Sequence, residues 1–555
     1  MPLQFRLYSL GRSLSKIVLL LQCRQCLSYT VTPQRTIRSY VVGLSITSPT
    51  SPRYRLDPCV DSRQLGSFQS TSSKRSGPFS DSISRRSHLK LNTWEGFGRD
   101  TRPRSRCRFA MTAAASPGAA ESRKATGLES RSVNWPLWYV LPIAPYQKRK
   151  TIMKEIVPGK VWTFDQLQGI LYVIVPVRMT IVKLDNTPGG GLFVYAPVAP
   201  TAECISMVRD LEAQHGPVRH IVLGTLGLEH KVFAGPFAQK FPESRVWYTP
   251  GQYSFPIRLP LSWLGFGGRP TKVIPRSSQD APWSADLKHA VLGPFFSKDG
   301  SGGYGETAFF HKETKTLLVT DLVVKVEDEV PEVVAQDPRP LLFHARDDAT
   351  QRVEDTPEIR LKGWRRIVQF ALTFQPSSLE VVDLKKAVLE DAPQSKMKEL
   401  GWGGLFPFKW NSPNGDSKSF EALKGGLLVA PILQVLLLNR DPDPVLDWAD
   451  EVASWPFTRV IPCHLANDVA TTPQEFRQAF SFLERSSGNS GLASLWESLG
   501  AAADALTDAF NGSKKRGVKP LSQDLQFLRD AEKTLVEAGT LYPAAEPVVR
   551  SYRRR

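Results

Sequence analysis

The stretch Ile221-Val222-Leu223-Gly224-Thr225-Leu226-Gly227-Leu228-Glu229-His230 joins an apolar run to a glycine-containing turn that ends in an acid and a histidine. Two later stretches, Leu317-Leu318-Val319-Thr320-Asp321 and Val460-Ile461-Pro462-Cys463-His464, repeat this arrangement. Each apolar run predicts a buried β-strand, and each turn carries side chains of the kinds that bind metals. Because sites in layered α/β folds gather at the carboxyl ends of strands, we expect the three turns to lie together.

Predicted strands and helices alternate on both sides of these stretches, which indicates an α/β protein built in layers. The predicted strands span residues 171–177, 180–184, 191–196, 220–223, 246–248, 306–311, 316–321 and 459–462. The predicted helices span 201–214, 233–241, 357–374, 444–453 (capped by Asp443), 475–484 and 523–538. Residues 224–230 are predicted as a turn, and 425–438 as a buried helix or strand.

The order of these motifs resembles the metallo-β-lactamase superfamily. A closer resemblance is to a branch of it that is classed as a domain of unknown function and is found in photosynthetic organisms. The segments that carry it are Tyr195-Ala196-Pro197-Val198-Ala199-Pro200-Thr201, Glu229-His230-Lys231, Phe241-Pro242, Pro250-Gly251-Gln252-Tyr253, Gly363-Trp364 and Ile461-Pro462-Cys463-His464. The resemblance covers residues 134–485 and implies a four-layer αββα sandwich with insertions.

The metal signature of this superfamily, His-x-His-x-Asp-His, is altered in the chain. Its four positions fall on Thr225, Gly227, Glu229 and His230, so its first two histidines are replaced. A third histidine of the superfamily lies in a glycine-rich turn, and the matching segment 302–306 contains no histidine. The three-histidine half of the site is therefore predicted to be lost.

The other half of the site is predicted to remain in altered form. The resemblance implies that Glu229, His230, Asp321 and His464 hold one divalent ion, Zn²⁺, Mn²⁺ or Fe²⁺, with Asp321 as the usual bridging carboxylate. Such an ion lowers the pKa of water, which makes a metal-dependent hydrolase the leading hypothesis, with Glu229 and Asp321 as its catalytic residues. Glu229 acting as a general base beside a weakly held metal is a variant of this hypothesis.

Two non-enzymatic interpretations stand beside the hydrolase. In the first, the fold is a scaffold or binding protein in which Glu229 pairs with His230 and Asp321 caps a loop. In the second, the protein is peripheral to plastid membranes and binds them through a face rich in exposed tryptophans. The alternative for these tryptophans is packing in the core. The tryptophans considered for that face are Trp135, Trp138, Trp263, Trp283, Trp402 and Trp410.

The net charge of +17 is concentrated at the two ends of the chain. Residues 1–110 hold 19 Lys or Arg and five acidic residues, and Arg553–Arg555 supply the remaining three positive charges. An Arg-rich leader with 19 Ser and 8 Thr predicts an organelle transit peptide, for the chloroplast rather than the mitochondrion. The neutral body argues against nucleic acid as a partner. A small-molecule substrate or a protein partner is expected instead.

Composition limits the remaining classes of protein. An apolar fraction of 41% with 13 Trp excludes a wholly disordered or collagen-like chain. The longest apolar stretch, 425–438, is shorter than the ~20 residues of a membrane-spanning helix. Only two of the six cysteines, Cys204 and Cys463, follow the leader, so a disulfide framework is not expected. The predicted organisation is a leader (1–110), a linker (111–133), the folded domain (134–485), and a low-complexity segment with a final helix (486–555).

Overall fold

The computed structural model describes residues 150–170, 172–252, 261, 265–266, 268–300, 302–411, 415–485 and 518–549. All of them belong to one of two compact units of the chain, and the other unit, Pro33–Arg123, lies outside them. The predicted leader, the predicted linker and segment 486–517 also lie outside the described residues.

The strands, in chain order, are β1 Ile152–Val157, β2 Val161–Ile170, β3 Val173–Leu184, β4 Gly191–Tyr195, β5 Val218–Leu223, β6 Arg245–Tyr248, β7 Thr271–Val273, β8 Leu287–Phe296, β9 Gly303–His311, β10 Thr316–Leu318, β11 Val323–Lys325, β12 Leu379–Val381, β13 Phe408–Trp410, β14 Leu427–Val429, β15 Arg459–Ile461 and β16 Val469–Ala470.

The α-helices are α1 Ala202–His215, α2 Leu228–Ala238, α3 Glu332–Ala335, α4 Arg339–Ala345, α5 Pro357–Thr373, α6 Leu384–Lys386, α7 Ala392–Gln394, α8 Gly415–Glu421, α9 Pro431–Leu436, α10 Pro442–Ala453, α11 Pro473–Gln478 and α12 Gln526–Glu537. The single turns of other helix types are Ser278–Asp280, Ala387–Asp391, Lys398–Leu400, Trp402–Gly404, Leu438–Arg440, Ser481–Leu483 and Ser522–Leu525.

Two sheets form the centre of the structure. The first has the strand order β1-β2-β3-β4-β5-β6-β7, antiparallel from β1 to β4 and parallel from β4 to β7. The second has the order β16-β15-β10-β9-β8, and β10 runs parallel to β15. Strands β11 and β14 form one small sheet, and β12 and β13 form another. Because β10 and β15 are adjacent and parallel, the turns that follow them emerge at the same edge.

The two sheets pack face to face between layers of helices. Phe193 and Tyr195 of β4 point into the space between the sheets, whereas Leu192 and Val194 pack in the cluster that includes α1 and α2. An apolar side chain at every position is typical of a strand that is buried on both faces. On the other side of the sandwich, α10 packs on β8 of the second sheet, and α5 packs beside it on β3. This αββα arrangement confirms the expected metallo-β-lactamase-like fold class.

Several local predictions differ from the structure, including the separate strands 171–177 and 180–184, which form the single strand β3. Helix α2 begins at Leu228, so Glu229 and His230 lie in its first turn rather than in the predicted turn. Helix α10 begins at Pro442, a favourable first helical residue because its ring fixes φ, so Asp443 is inside the helix and is not its cap. The segment 425–438 contains both a strand, β14, and a helix, α9, because Pro431 stops the strand and starts the helix.

The tryptophans considered for a membrane face differ in exposure. Trp283 and Trp410 are buried and Trp402 is 40% exposed, while Trp135, Trp138 and Trp263 lie outside the described residues. The described members of this set therefore form no shared exposed face. Within the described ranges, no helix has both the length and the apolar character needed to cross a bilayer.

Candidate metal centre

Four side chains from three separate parts of the chain converge at one edge of the sandwich. Glu229 and His230 lie in the first turn of α2, Asp321 follows β10, and His464 follows β15. One ligand atom of each lies within 4.8 Å of the other three. Donors bound to one ion at about 2.1 Å lie roughly 3–4 Å apart, so a small inward movement of the side chains would bring all four to a single ion. The longer side chain of Glu229, compared with Asp, still reaches the cluster.

The start of α2 is shaped to leave room for the two carboxylates. A Cβ atom on Gly227 would lie 3.0 Å from Oδ2 of Asp321 and 3.3 Å from Cδ of Glu229. Thr225, two residues earlier, accepts the Gly227 N–H and donates its own hydroxyl to Oδ2 of Asp321 at 3.2 Å. The two positions that hold histidines in the superfamily signature therefore provide space and orientation for Asp321 here.

A buried glutamate fixes the turn that carries Asp321. Glu306 of β9 is fully buried, and its carboxylate accepts the backbone N–H groups of Thr320, Asp321 and Leu322 at 2.9–3.0 Å. It also accepts the hydroxyls of Thr320 and Tyr304. Burial and the charge of Asp321 raise the pKa of Glu306, and these hydrogen bonds oppose that effect. Five donors to one side chain define the position of the turn closely.

A buried arginine fixes the turn that carries His464. The guanidinium of Arg178 donates to the carbonyls of Pro462, Leu465 and Ala466 at 2.6–3.1 Å. Its Nε lies 2.7 Å from Asp165, a buried carboxylate in β2. Leu465 adopts a left-handed conformation, with φ of 57°, which is uncommon for a residue with a side chain. The hydrogen bonds of Arg178 to three neighbouring carbonyls stabilise this strained backbone beside His464.

The imidazole of His464 is oriented as in a metal ligand. Its Nδ1 lies 2.7 Å from the carbonyl oxygen of Pro176, which can only accept, so Nδ1 carries the proton. In the neutral ring, Nε2 therefore presents a lone pair, and Nε2 lies 2.9 Å from Oδ1 of Asp321. A lone pair facing a carboxylate requires a positive charge between or beside them. Either protonated His464 or a shared cation provides that charge.

His230 approaches the same carboxylate oxygen. Its Nε2 also lies 2.9 Å from Oδ1 of Asp321, and its ring is fully buried. Nδ1 of His230 and Oε2 of Glu229 are buried, and neither has a hydrogen-bond partner among the described residues. Buried polar atoms without partners are rare in folded proteins and often mark an absent water or ion.

Charge is distributed unevenly over the cluster. Burial alone would raise the pKa of Asp321, but the two imidazoles hold it well below its usual range. Burial lowers the pKa of His230, but the charge and hydrogen bond of Asp321 outweigh it and raise that pKa. Burial and the charge of Asp321 raise the pKa of Glu229. Asp321 is therefore the anionic centre of the site.

Comparison with known families assigns the domain. The family described as a domain of unknown function, DUF4336, matches residues 158–482, which is more than half of the chain. The chain belongs to the DUF4336 family. A search of curated proteins gives no match.

Solved structures resemble this DUF4336 chain at low sequence identity. A metallo-β-lactamase from Pontibacter korlensis is 14% identical, with a TM-score of 0.24, covering 32% of this chain and 76% of that one. A β-lactamase domain protein from Burkholderia ambifaria is 12% identical, with a TM-score of 0.30 and coverages of 70% and 88%. A metal-soaked flavodiiron core from Synechocystis sp. PCC6803 is 9% identical, with a TM-score of 0.30 and coverages of 60% and 60%. At these values, the likenesses say nothing about activity.

The DUF4336 chain has a cavity directly beside the four ligand side chains. Its volume is about 190 Å³, and Glu229, Asp321 and His464 form part of its wall. Gln168 and Tyr304 supply further polar groups, and most of the remaining wall is apolar. The cluster is therefore accessible to a small molecule rather than sealed in the core.

Sequence reasoning named the four ligands of this DUF4336 chain but missed the residues that support them. Glu306 and Arg178 each lie within a mainly apolar strand, where a charged residue is costly unless it is paired. That pattern is the signal that could have identified them. Gln168 carries no comparable signal, and Thr225 appears in the sequence only as a replaced position of the metal signature.

Proposed function

We propose that this protein is a mononuclear, divalent-metal-dependent hydrolase whose ion is held by Glu229, His230, Asp321 and His464. The observation that carries the proposal is the orientation of His464, whose Nδ1–H is committed to a backbone carbonyl while Nε2 faces Asp321. The partner on the far side of the ring fixes the tautomer that presents a lone pair to a metal. Metal-binding histidines are commonly held in this way.

The donor set fits the proposed ion. Two carboxylates and two imidazoles suit Zn²⁺, Mn²⁺ or Fe²⁺, which all accept mixed nitrogen and oxygen ligands. The unpartnered Oε2 of Glu229 supports the fit, because a buried carboxylate oxygen is costly without a partner. Two carboxylates also neutralise the charge of a divalent ion.

Each residue around the ion has a distinct role. A divalent ion, when bound, supplies Lewis acidity and lowers the pKa of nearby water. Asp321 gathers the two imidazoles, and Glu306 and Arg178 hold the turns that carry Asp321 and His464. The apolar wall excludes water, which strengthens electrostatic interactions within the site.

A second candidate is a non-catalytic binding protein of the same fold. The observation that favours it is that Asp321 can satisfy both imidazoles by itself when His464 is protonated. In that case, the cluster is a buried hydrogen-bond network and no metal is needed. His230 then pairs with Asp321, not with Glu229 as the scaffold hypothesis expected.

Metal content of the purified full chain distinguishes the two candidates. We expect about one equivalent of Zn²⁺, Mn²⁺ or Fe²⁺, lost in an Asp321→Ala/His464→Ala double variant. The matched control, Asp468→Ala/His215→Ala, changes the same residue types outside the cluster and should retain the metal. Folded protein that binds none of the three ions, even after incubation with each, would exclude the hydrolase and leave the binding protein.

We further propose that the protein is imported into the plastid and belongs to a branch of the family from photosynthetic organisms. The support is the leader, in which basic residues precede the first acidic residue, Asp57, and serine is abundant. Residues 1–133 fused to a fluorescent protein should direct it to chloroplasts in plant cells. Mitochondrial or cytosolic fluorescence would contradict this location.

A further inference from the structure

The chemistry of the cavity wall restricts what can reach the candidate metal centre. Glu229, Asp321 and His464 form part of the cavity wall. Much of the rest of the wall is apolar and comes from β3, the end of α5 and the start of α9. The main contributors are Val173, Val175, Leu372, Phe374, Ile432 and Leu433. A surface of this kind binds carbon skeletons by removing their apolar surface from water.

Charge complementarity to an anionic ligand is missing from the cavity. Among the described residues that line it, none is Lys or Arg. Two carboxylates and two neutral imidazoles around one divalent ion sum to zero net charge, so the site as a whole does not attract anions. A phosphate or carboxylate group on the substrate would find no counter-charge in the wall, and at the ion it would compete with the two carboxylates that already neutralise it. The cavity therefore disfavours anionic substrates.

One neutral polar side chain on the wall has unused hydrogen-bonding capacity. Gln168 is 5% exposed, and its side-chain oxygen has no hydrogen-bond partner among the described residues. Its Nε2 makes only a long contact, 3.5 Å, with the backbone carbonyl of Glu229. A buried amide with unused hydrogen-bonding capacity beside a cavity is suited to a hydroxyl or carbonyl group of a ligand.

The volume limits the size of the ligand. An apolar cavity of about 150 Å³ holds benzene. The cavity here, about 190 Å³, therefore accepts a body of one ring with a small substituent. Longer groups would have to extend into solvent.

We propose that the cavity selects an uncharged, mainly apolar substrate of about single-ring size, with one polar group directed at Gln168 and the ligand cluster. The inference deepens the proposed function and rests on it for the reacting ion. The apolar wall and Gln168 belong to the chain itself, so binding in the cavity can be measured separately from metal binding.

Fluorine NMR titration of the zinc-loaded full chain tests the substrate class with matched probes. 4-Fluorobenzyl alcohol is neutral, 4-fluorobenzoate is anionic, and the two are close in size. We expect the alcohol to bind at least tenfold more tightly than the benzoate. Equal or tighter binding of the benzoate, or no binding of the alcohol by folded protein, would overturn the proposal.

Variants locate the binding in the cavity. Ala371→Phe fills it from α5 and should weaken binding of the alcohol at least tenfold, with Ala430→Phe as a second filler if the first does not fold. Ala213→Phe, at an exposed position on α1, is the control and should change nothing. Gln168→Leu should weaken binding of the alcohol several-fold and leave that of 4-fluorotoluene unchanged. Normal alcohol binding by a folded cavity-filling variant would overturn the proposal.

The metal-free Asp321→Ala/His464→Ala variant separates this inference from the proposed function. Alcohol binding that persists in this variant supports the cavity, whether or not the wild-type chain ever binds an ion. Stoichiometric zinc binding by a wild-type chain that binds none of the three probes would leave the hydrolase standing and overturn the substrate class.

Discussion

Nε2 of His464 and Nε2 of His230 both lie 2.9 Å from the same oxygen, Oδ1 of Asp321. One carboxylate oxygen can accept hydrogen bonds from two imidazole N–H groups, but here only His230 can offer an Nε2 proton in its neutral form. His464 cannot supply an Nε2 proton in its neutral form, because its Nδ1–H is committed to Pro176. Both candidate functions therefore depend on the position of the Asp321 carboxylate relative to the two imidazoles. Substitutions of the residues that fix this position test both functions.

Glu306→Gln should destabilise the protein and weaken metal binding together. The amide has one acceptor oxygen and adds an N–H group facing backbone donors, so it cannot accept all five hydrogen bonds that Glu306 accepts. We expect a loss of about 3 kcal/mol in the free energy of unfolding, because hydrogen bonds to a buried charge are lost. Chemical denaturation measures the stability, and metal titration measures the affinity.

Glu313→Gln is the control for Glu306. Glu313 lies in the turn between β9 and β10, and its exposed carboxylate contacts Lys160 at 2.9 Å. Removing an exposed ion pair changes stability by about 0.5 kcal/mol or less. If Glu306→Gln were no more destabilising than Glu313→Gln, the proposed support of Asp321 by Glu306 would be wrong.

Arg178→Lys should disturb His464 while keeping the positive charge. Lysine can still pair with Asp165, but its single ammonium group cannot reproduce the fork that spans the carbonyls of Pro462, Leu465 and Ala466. We expect a loss of about 3 kcal/mol in stability and a weaker affinity for the divalent ion. Arg459→Lys, in which the exposed pair with Asp468 is conserved, should alter neither quantity.

The sequence predicts the strands and the ligands of the site, but not Glu306 and Arg178, which hold the ligand turns in place. Strands β4, β5, β10 and β15 are short apolar runs, and their own residues specify them. The four ligand residues follow such runs, so the local pattern and the family resemblance together identify them. The start of α2 was missed because Gly227, directly before Leu228, indicates a turn and supplies no side-chain cap to mark a helix start.

The supporting residues act over distances that no local pattern records. Arg178 and the carbonyl of Pro462 are 284 positions apart in the chain. The arginine can position His464 only because β3, which carries it, lies next to the turn after β15. Glu306 likewise acts on the turn that follows the neighbouring strand, β10. A charged residue inside an apolar strand predicts a buried partner, but only the sheet order identifies that partner.

Gly227→Ala should weaken metal binding more than it weakens the fold. The backbone of Gly227 has φ of −55°, which alanine adopts without strain, so the effect comes from space alone. The new Cβ would lie 3.0 Å from Oδ2 of Asp321, which must then move by a few tenths of an ångström. We expect a metal affinity at least tenfold lower. In Gly426→Ala, the added Cβ meets Val518 at 3.4 Å, and neither stability nor affinity should change appreciably.

His220 should make the protein less stable in mild acid, independently of the metal centre. The ring is 5% exposed and lies between Trp247 and Trp283, and its Nδ1 accepts the indole N–H of Trp247 at 3.1 Å. Burial, together with the charges of Arg245 and Arg219, lowers the pKa of His220 to about 4. In the unfolded chain, the same group has its usual value of about 6.5.

The sign of the pH effect follows from these two pKa values. Between pH 6.5 and 4, the unfolded chain binds a proton at His220 that the folded chain does not, so protonation favours unfolding. The free energy of unfolding should therefore fall by about 3 kcal/mol as the pH drops through this window, with no further loss from His220 below it. In His220→Asn, the side-chain oxygen can accept the indole N–H of Trp247 without titrating. Urea denaturation at pH 7.5, 6, 5 and 4 should show a shallower decline for this variant, and parallel curves for the two proteins would assign the acid sensitivity to other groups.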